Sequence, residues 1–433
     1  MPSSVSSSAE VVLGALGALL LDGGVSVTDV RGTLERASTV TAAEERLEFA
    51  VLPQQVLVSR TGIPGSTTIS TATGRDLSFR QAAHASRLAR RGGGGGGGGP
   101  PPPPPPPGRP GGGGRHHIDR IRAIRRRHPA LQRVLGGALL SAGLGVLFRC
   151  PWWSIALVLL VGAVVGSIIV MAERFRSAAA VVPFVVAFLS TVAVGTAAAV
   201  LGIGNVPLFA VCAPIAILVP GALITNALLE LTAADIVTGA SRLIYGLILL
   251  AFMAAGIFAG ATITGLRIDP ESAALVGETA RVVGQPGWAA VPPLWLSWIG
   301  VVVLAVGVGL SFGSGFRLTM ATVLIMIGTY SALMLLSPMT GSTIATGVTA
   351  ALLFLAARVV ERATLAVPAT VSFQPAFLLL VPGTVGLVAL ASFDAQALAA
   401  APLIFVSLCI GTKVGALAAD ATGISRHLTL DAR

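Results

Sequence analysis

The sequence predicts a mainly α-helical, polytopic membrane protein: about ten transmembrane helices in two inverted five-helix halves, plus a small amino-terminal α+β cytosolic domain. Three observations predict it. Of the 433 residues, 54% are hydrophobic and only 11% are charged, and mean hydropathy is +0.84. A soluble domain carries roughly 25% charge, so a bilayer is the expected solvent for most of this surface. From residue 131 onward the chain is a series of apolar segments, each near the ~20 residues that a bilayer crossing needs. Finally, the tetrapeptide Leu-Val-Pro-Gly occurs twice, at 218–221 and 380–383, inside two of those segments.

Residues 1–91 read as the α+β unit. Ser7-Ser8-Ala9-Glu10 has the form of a capping box ahead of a helix over 11–21. That apolar run is too short to span a membrane and follows no basic stretch, so it is not read as a leader peptide. Gly23-Gly24 stops the helix, and a second helix runs from about Thr28 to Ala37. "EFAV", "QVLVS" and "STTIST" are β-branched and partly alternating, hence strands, with "TGIPG" turning between the last two. A third helix covers 78–91. Residues 92–114 contain eight consecutive glycines and then eight prolines: a flexible coil joined to a polyproline rod of about 25 Å at ~3.1 Å per residue. We read this insert as a spacer, although a polyproline run also suits an SH3-type ligand.

Residues 115–130 form a basic flank. Much of the net charge of +10 lies between 115 and 133. Because the run abuts the first apolar segment, it reads as a cytoplasmic flank at the membrane surface and not as a nucleic-acid site. His116, His117 and His128 belong to that solvated flank, and His84 on the third helix has no evident ligand role. Three scattered cysteines without a CxxC give neither a disulfide framework nor a metal site.

The apolar segments are placed at 133–148, 153–171, 179–201, 206–229, 240–264, 293–311, 317–336, 341–357, 375–392 and 397–418. With the amino end in the cytoplasm, the short cytoplasmic loops and tail hold Arg174, Arg176, Arg242, Arg317, Arg358, Arg362, Arg426 and Arg433, and the external side holds Arg149, Arg267 and Arg281. This bias obeys the positive-inside rule, so both termini of this multi-pass protein are expected in the cytoplasm. An external loop, 267–292, divides the spans into halves at 131–266 and 293–420, followed by a tail at 421–433. Five is odd, so the second half enters the membrane from the opposite side. Each Leu-Val-Pro-Gly falls in the fourth span of its half. That is the layout of an inverted repeat, common in secondary transporters.

Pro220 and Pro382 lack an N–H and clash with the preceding turn, and Gly221 and Gly383 let the backbone turn or pack closely. Carbonyls freed at that depth are expected to face protein or a water-filled path, so these four residues are read as lining a substrate pathway, with the alternative that they are packing kinks. Thr225 and Asn226 follow the first break. A buried asparagine needs partners; its amide suits an amino acid's carboxylate or hydroxyl, or a neighbouring helix. Glu230, Asp235 and Arg242 are candidate coupling or gating charges, the alternative being a solvated loop with an internal ion pair. Lys413 and Asp420 lie seven apart on one face of the last helix and are candidates for the same role, unless Lys413 snorkels to the surface. Ser342, Thr343, Thr346 and Thr349 in the eighth span either line a polar path or bond back to their own helix.

The stretch "ILVPGALITNALLELTAADIVTGASRL" resembles the corresponding segment of the threonine/serine exporter family, in which Val-Pro-Gly is followed by Thr-Asn, an acidic residue, Gly and Arg. Here these are Val219-Pro220-Gly221, Thr225-Asn226, Glu230 or Asp235, Gly239 and Arg242. "LLLDGGVSVTDVRGTLERA" and "RDLSFRQAAHASRLARR" resemble the start and end of that family's cytosolic region. The resemblance implies a bacterial inner-membrane protein that exports small hydroxy amino acids using the proton motive force. Its partners would be the amino-acid substrate, protons and the bilayer, with assembly into homo-oligomers left open and no cofactor required. The absence of a P-loop agrees with this. This chain departs from the family in carrying Asp29-Val30-Arg31 where the family has Arg-Val-Glu, and Ser86 where it has Asn. Two other readings act through residues 1–91: a membrane-anchored sensor or scaffold, and a tethered enzyme. The latter has only Asp22, Ser26 and Thr28 to build on, and helix capping explains these more simply.

Overall fold

A computed structural model of the chain describes residues 6–41, 46–62, 66–74, 77–92, 113–126, 128–175, 181–269, 287–364, 375–376, 378–380 and 395–421. Its amino-terminal part is built from helices α1 (Ser6–Asp22), α2 (Val27–Thr41), α3 (Phe79–Gly92) and α4 (Gly113–Arg122) and strands β1 (Leu47–Leu52), β2 (Gln55–Arg60) and β3 (Thr67–Thr71). The strands form an antiparallel meander in the order β1-β2-β3. One face of the sheet is covered by α1. Gly14 and Gly17 permit this approach, since a Cβ at Gly17 would lie 2.8 Å from Leu34 Cδ1 and 3.0 Å from Val56 Cγ2. Leu16, Leu19, Val30, Leu34, Val56 and Val58 fill the core between helices and sheet.

Two sequence expectations change here. Helix α1 starts at Ser6, so Ser7 and Ser8 lie within it. The Glu10 carboxylate is not a cap; it accepts a hydrogen bond from Arg60 Nε at 2.9 Å, on the neighbouring strand. The basic flank is also more than a solvated run. Its residues form α4, whose Ile118 and Ile121 are buried in the amino-terminal core. Gln81 holds α4 in place: its Nε2 donates toward the carbonyls of Ile121, Arg122 and Ile124, each at 3.2 Å. The other end of the Gln81 amide closes a capping box with Ser78, which sets the start of α3.

The remainder is helical: α5 (Pro129–Leu147), α6 (Trp152–Ala172), α7 (Val182–Val200), the short α8 (Leu208–Cys212), α9 (Gly221–Thr232), α10 (Ile236–Thr264), α11 (Leu296–Ser311), α12 (Phe316–Thr340), α13 (Ser342–Thr364) and α14 (Ala395–Ala421). Among the described residues, seven helices are long and apolar enough to cross a membrane, and the segments Ala216–Thr232 and Leu296–Ser311 are apolar but shorter. Nine of the ten spans of the sequence reading fall on described residues, seven of them of full length and two short. Backbone chemistry explains both short helices: the fourth segment is broken at Pro220, and α11 cannot begin before Pro292-Pro293. The expected span 375–392 lies largely outside the described residues.

Helix directions follow from end contacts. Arg126, just before α5, donates from Nη1 to the Ser311 carbonyl at the end of α11 at 2.9 Å, and Arg133 on α5 pairs with Glu173 after α6. This end, next to the amino-terminal unit, is called proximal. At the distal end Arg149 Nε donates to the Pro292 carbonyl at 2.9 Å. All five tryptophans, Trp152, Trp153, Trp288, Trp295 and Trp298, lie in distal segments, where an amphipathic ring suits a membrane–water interface.

Glycines hold the helices close. Helices α5 and α11 run antiparallel through Gly136 and Gly143 on one and Gly300 and Gly307 on the other; a Cβ at Gly300 would lie 2.7 Å from Leu147 N and one at Gly136 2.6 Å from Ser311 N. Helices α7 and α10 pack in parallel, with Gly256 and Gly260 of α10 against the backbone of Phe184 and Phe188. Helices α13 and α14 pack in parallel too, with Gly411 and Gly415 of α14 against the backbone of Gly347 and Ala351. Outward, Leu160, Val164, Ile248, Phe252, Leu324 and Leu403 are exposed, as lipid-facing residues are.

Candidate functional site

The first Leu-Val-Pro-Gly interrupts the fourth segment about half-way along it. After α8 the chain makes a short 3-10 turn, Ala216–Leu218, and Val219 is extended (φ −63°, ψ 123°). Pro220 (φ −77°, ψ 44°) is the centre of an inverse γ-turn in which Gly221 N–H donates to the Val219 carbonyl at 2.8 Å. The expected row of unsatisfied carbonyls is smaller than the sequence implied. Ala216 and Pro220 carbonyls accept from Val219 and Ile224 N–H groups. Thr225 Oγ1 donates to the Gly221 carbonyl at 2.9 Å, so this buried threonine serves its own helix. The break is therefore a self-contained joint between α8 and α9.

The polar residues beyond the joint do not stay in the bundle. They meet the amino-terminal unit. Helix α1 ends in a Schellman turn: Val25 N–H donates to the Leu20 carbonyl (3.2 Å) and Gly24 N–H to the Leu21 carbonyl (3.0 Å), with Gly24 in the left-handed region at φ 76°. This turn directs the Gly24 carbonyl to Asn226 Nδ2, which donates to it at 3.1 Å. Ser26 then caps α2 by accepting the Asp29 N–H at 3.2 Å. Val27 is thus the first residue of α2, and its N–H has no partner within the helix. It donates to Glu230 Oε1 at 3.0 Å. One turn further out, Thr28 Oγ1 donates to Asp235 Oδ2 at 3.0 Å, and Arg31 lies 3.8 Å from Asp235 Oδ1.

The opposing turn, between α9 and α10, is also a Schellman turn: Asp235 N–H donates to the Glu230 carbonyl (3.0 Å) and Ala234 N–H to the Leu231 carbonyl (3.2 Å). Here the left-handed position is an alanine, Ala234, at φ 65°. Gly239 and Gly246 let α10 lie flat on α9; a Cβ at Gly239 would be 2.8 Å from the Ala227 carbonyl oxygen. That approach brings Arg242 onto Glu230 as an ion pair. The Glu230 carboxylate is completely buried, and its Oε2 has no partner among the described residues. An unmet buried acceptor costs about 1–3 kcal/mol.

A second contact fixes the same unit. The Phe79 N–H donates to the Phe312 carbonyl at 2.9 Å, and the two rings stack with centroids 5.1 Å apart. The buried Asp22 carboxylate accepts from Thr73 N–H and Oγ1 and from Gly74 N–H, and pairs with Arg122 at 3.3 Å.

Residues 113–264 match the model of the family described as "Putative threonine/serine exporter". The matched segment runs from α4 to the end of α10, so it encloses the Pro220 joint together with Asn226, Glu230, Asp235 and Arg242. The threonine/serine exporters are a family of membrane transporters, and this segment carries their pattern on a set of membrane-length apolar helices. No curated protein and no solved structure matches the chain.

Set against the sequence reading of that family segment, the structure brings together Asn226, Glu230, Asp235 and Arg242. Asn226, half-buried, donates to the Gly24 carbonyl, and Glu230 has the internal ion pair with Arg242 but is buried and not in a solvated loop. Pro382 and Gly383 lie outside the described residues. Lys413 is half-buried on α14, which touches α9; Asp420 is on the same helix, with its side chain outside the described residues. Thr346 bonds back to the Ser342 carbonyl of its own helix, whereas Ser407 donates to the Thr343 carbonyl and links α14 to α13. Sequence reasoning missed Gly24, Val27, Thr28 and Arg31 as partners of α9–α10. Only the exchanged charges of Asp29-Val30-Arg31 hinted at them. Among the described residues no group of three metal-ligating side chains occurs, and Asp22, Ser26 and Thr28 point to three different partners.

Proposed function

We propose that this protein is a secondary transporter that exports small hydroxy amino acids, threonine and serine, across the inner membrane, driven by the proton motive force. The observation that carries this reading is the family match over 113–264, which contains a helix broken in mid-segment by proline and glycine with polar residues after the break. Broken helices of this kind point to binding sites in transporters. The pathway residues in this reading are Pro220, Gly221, Thr225 and Asn226, with Pro382 and Gly383 as their counterparts, and Glu230, Asp235, Arg242, Lys413 and Asp420 couple or gate.

The inverted five-plus-five repeat is part of the proposal. Its support is a matching set of contacts: the first helices of the two halves, α5 and α11, cross through paired glycines, and in each half the fifth helix lays a Gly-x-x-x-Gly on the third. The proximal end is the cytoplasmic one in this reading, supported by its arginines and by the tryptophans at the other end. The sensor and tethered-enzyme alternatives lose ground because the amino-terminal unit is bonded to the bundle at buried positions.

Cells loaded with a threonine-containing dipeptide, with and without the protein, test the proposal. Protein-dependent threonine efflux that an uncoupler suppresses is expected. Efflux unchanged by the protein, at good expression, removes the reading.

A further inference from the structure

One short stretch of backbone, residues 24–27, occupies two groups of α9 that stand one helical turn apart on the same face. The Val27 N–H faces the Glu230 carboxylate, and the Gly24 carbonyl faces the Asn226 amide. A donor at a buried carboxylate and an acceptor at an amide is the pattern that an α-amino acid presents with its ammonium and carboxylate. The match is incomplete in one informative way. The single Val27 N–H and Arg242 both engage Oε1, so among the described residues Glu230 Oε2 stays unmet although the side chain is completely buried. An ammonium has three donors and would satisfy both oxygens. The charges around the pair are already balanced, with Arg242 on Glu230 and Arg31 near Asp235, so a zwitterion of zero net charge fits without leaving a new charge behind.

We propose that residues 24–27 are a built-in mimic of the transported amino acid. They hold its site on α9 closed from the proximal side, and the free zwitterion competes with them for Glu230 and Asn226. This rests on the exporter reading and names the site: Glu230 takes the ammonium, Asn226 the carboxylate, and the Gly23-Gly24 turn is the plug that must withdraw. The ligand class is a small α-amino acid with both charged groups present.

Val27→Pro isolates the contact. Proline is well suited to the first position of a helix, where the missing N–H has no helical partner, and Ser26 remains as the cap. The full chain reconstituted in liposomes is expected to move threonine about tenfold faster at sub-saturating concentration with Val27→Pro, the factor that one hydrogen bond to a charged group represents. In parallel, hydrogen–deuterium exchange on the unmodified chain follows the peptide covering residues 24–27. L-threonine is expected to speed its exchange several-fold, whereas 3-hydroxybutyrate, which lacks the amine, and 1-amino-2-propanol, which lacks the carboxyl, leave it unchanged. Threonine flux by the unmodified chain, with exchange at 24–27 indifferent to L-threonine, overturns the mimic and leaves the exporter reading standing, whether or not Val27→Pro folds. No flux and no response to any amino acid overturns both.

Discussion

The helical bundle and the junction with the amino-terminal unit are held by opposite means. Inside the bundle, polar groups are consumed locally: Ser141, Thr191, Thr225, Thr329 and Thr346 all bond to a carbonyl four residues back on their own helix. Contacts between helices there are mainly apolar side chains and glycine against backbone, with Ser407 on the Thr343 carbonyl as a polar exception. At the junction, Asn226, Glu230 and Asp235 reach across to another folding unit some two hundred residues away in sequence. The difference teaches where a polar residue on an apolar helix has work outside that helix. A hydroxyl can bond backward from the middle of a helix. A carboxylate or primary amide seldom can, and must find a partner elsewhere or remain costly.

This contrast can be broken at several points. Glu230→Ala has the largest expected effect. It strands the Arg242 guanidinium in a largely buried place, at about 3–5 kcal/mol, and should expose the amino-terminal unit to limited proteolysis while α5–α11 stays protected. Gly307→Val attacks the other side of the comparison: its Cβ would press on the Leu140 backbone of α5, which cannot yield as a side chain can. A loss of about 1–3 kcal/mol, or failure to insert, is expected, read as a lower thermal midpoint in detergent with junction contacts unaffected. Asn226→Ala costs only about 0.5–1.5 kcal/mol of stability. On the proposed function it nevertheless abolishes threonine efflux from protein still present in the membrane, and normal efflux would remove Asn226 from the pathway.

Smaller effects sharpen the comparison further. Gly24 and Ala234 sit at equivalent left-handed positions of two facing turns. Ala234→Gly relieves about 1–2 kcal/mol of backbone strain against the entropy lost by a glycine, for a net gain of about 0.5 kcal/mol in thermal unfolding. Gly24→Ala should show the reverse. The smallest effect concerns His84. Burial, and then Arg87 and Arg80, hold its imidazole below the usual value of 6.5. The unfolded chain therefore takes up a proton that the folded chain resists, so stability falls as pH drops from 6.5 toward the folded-state value. His84→Gln should flatten that part of the stability profile.

Much of the fold was legible from local chemistry. The strands, the helix start at Ser78 and the apolar spans each follow from period and composition, because each buries a face or crosses a bilayer by its own residues. The first Pro-Gly break was legible for the same reason: Pro220 cannot donate and cannot be accommodated by the turn before it. The length of each span was less legible, since a span shortened by its own prolines, such as α11, has the composition of a crossing without the length. The capping box at Ser7–Glu10 failed as a reading because Glu10 had a stronger partner, Arg60, fifty residues away on a strand.

The candidate site divides in the same way. The sequence alone determined that Asn226 on an apolar segment needs a partner, since desolvation is a property of residue type and surroundings, and it left Glu230, Asp235 and Arg242 between gating charges and a solvated loop. It also determined, through Gly24 and Ser26, that α1 and α2 are joined by a tight turn. Only the tertiary structure decided that this turn lies against α9, that the lone N–H at the head of α2 is what Glu230 receives, and that one carboxylate oxygen is left over. Hydrogen bonds across two hundred residues carry no periodicity and no local signature; they exist because two turns, each fixed by its own few residues, are brought face to face by the packing of everything between them.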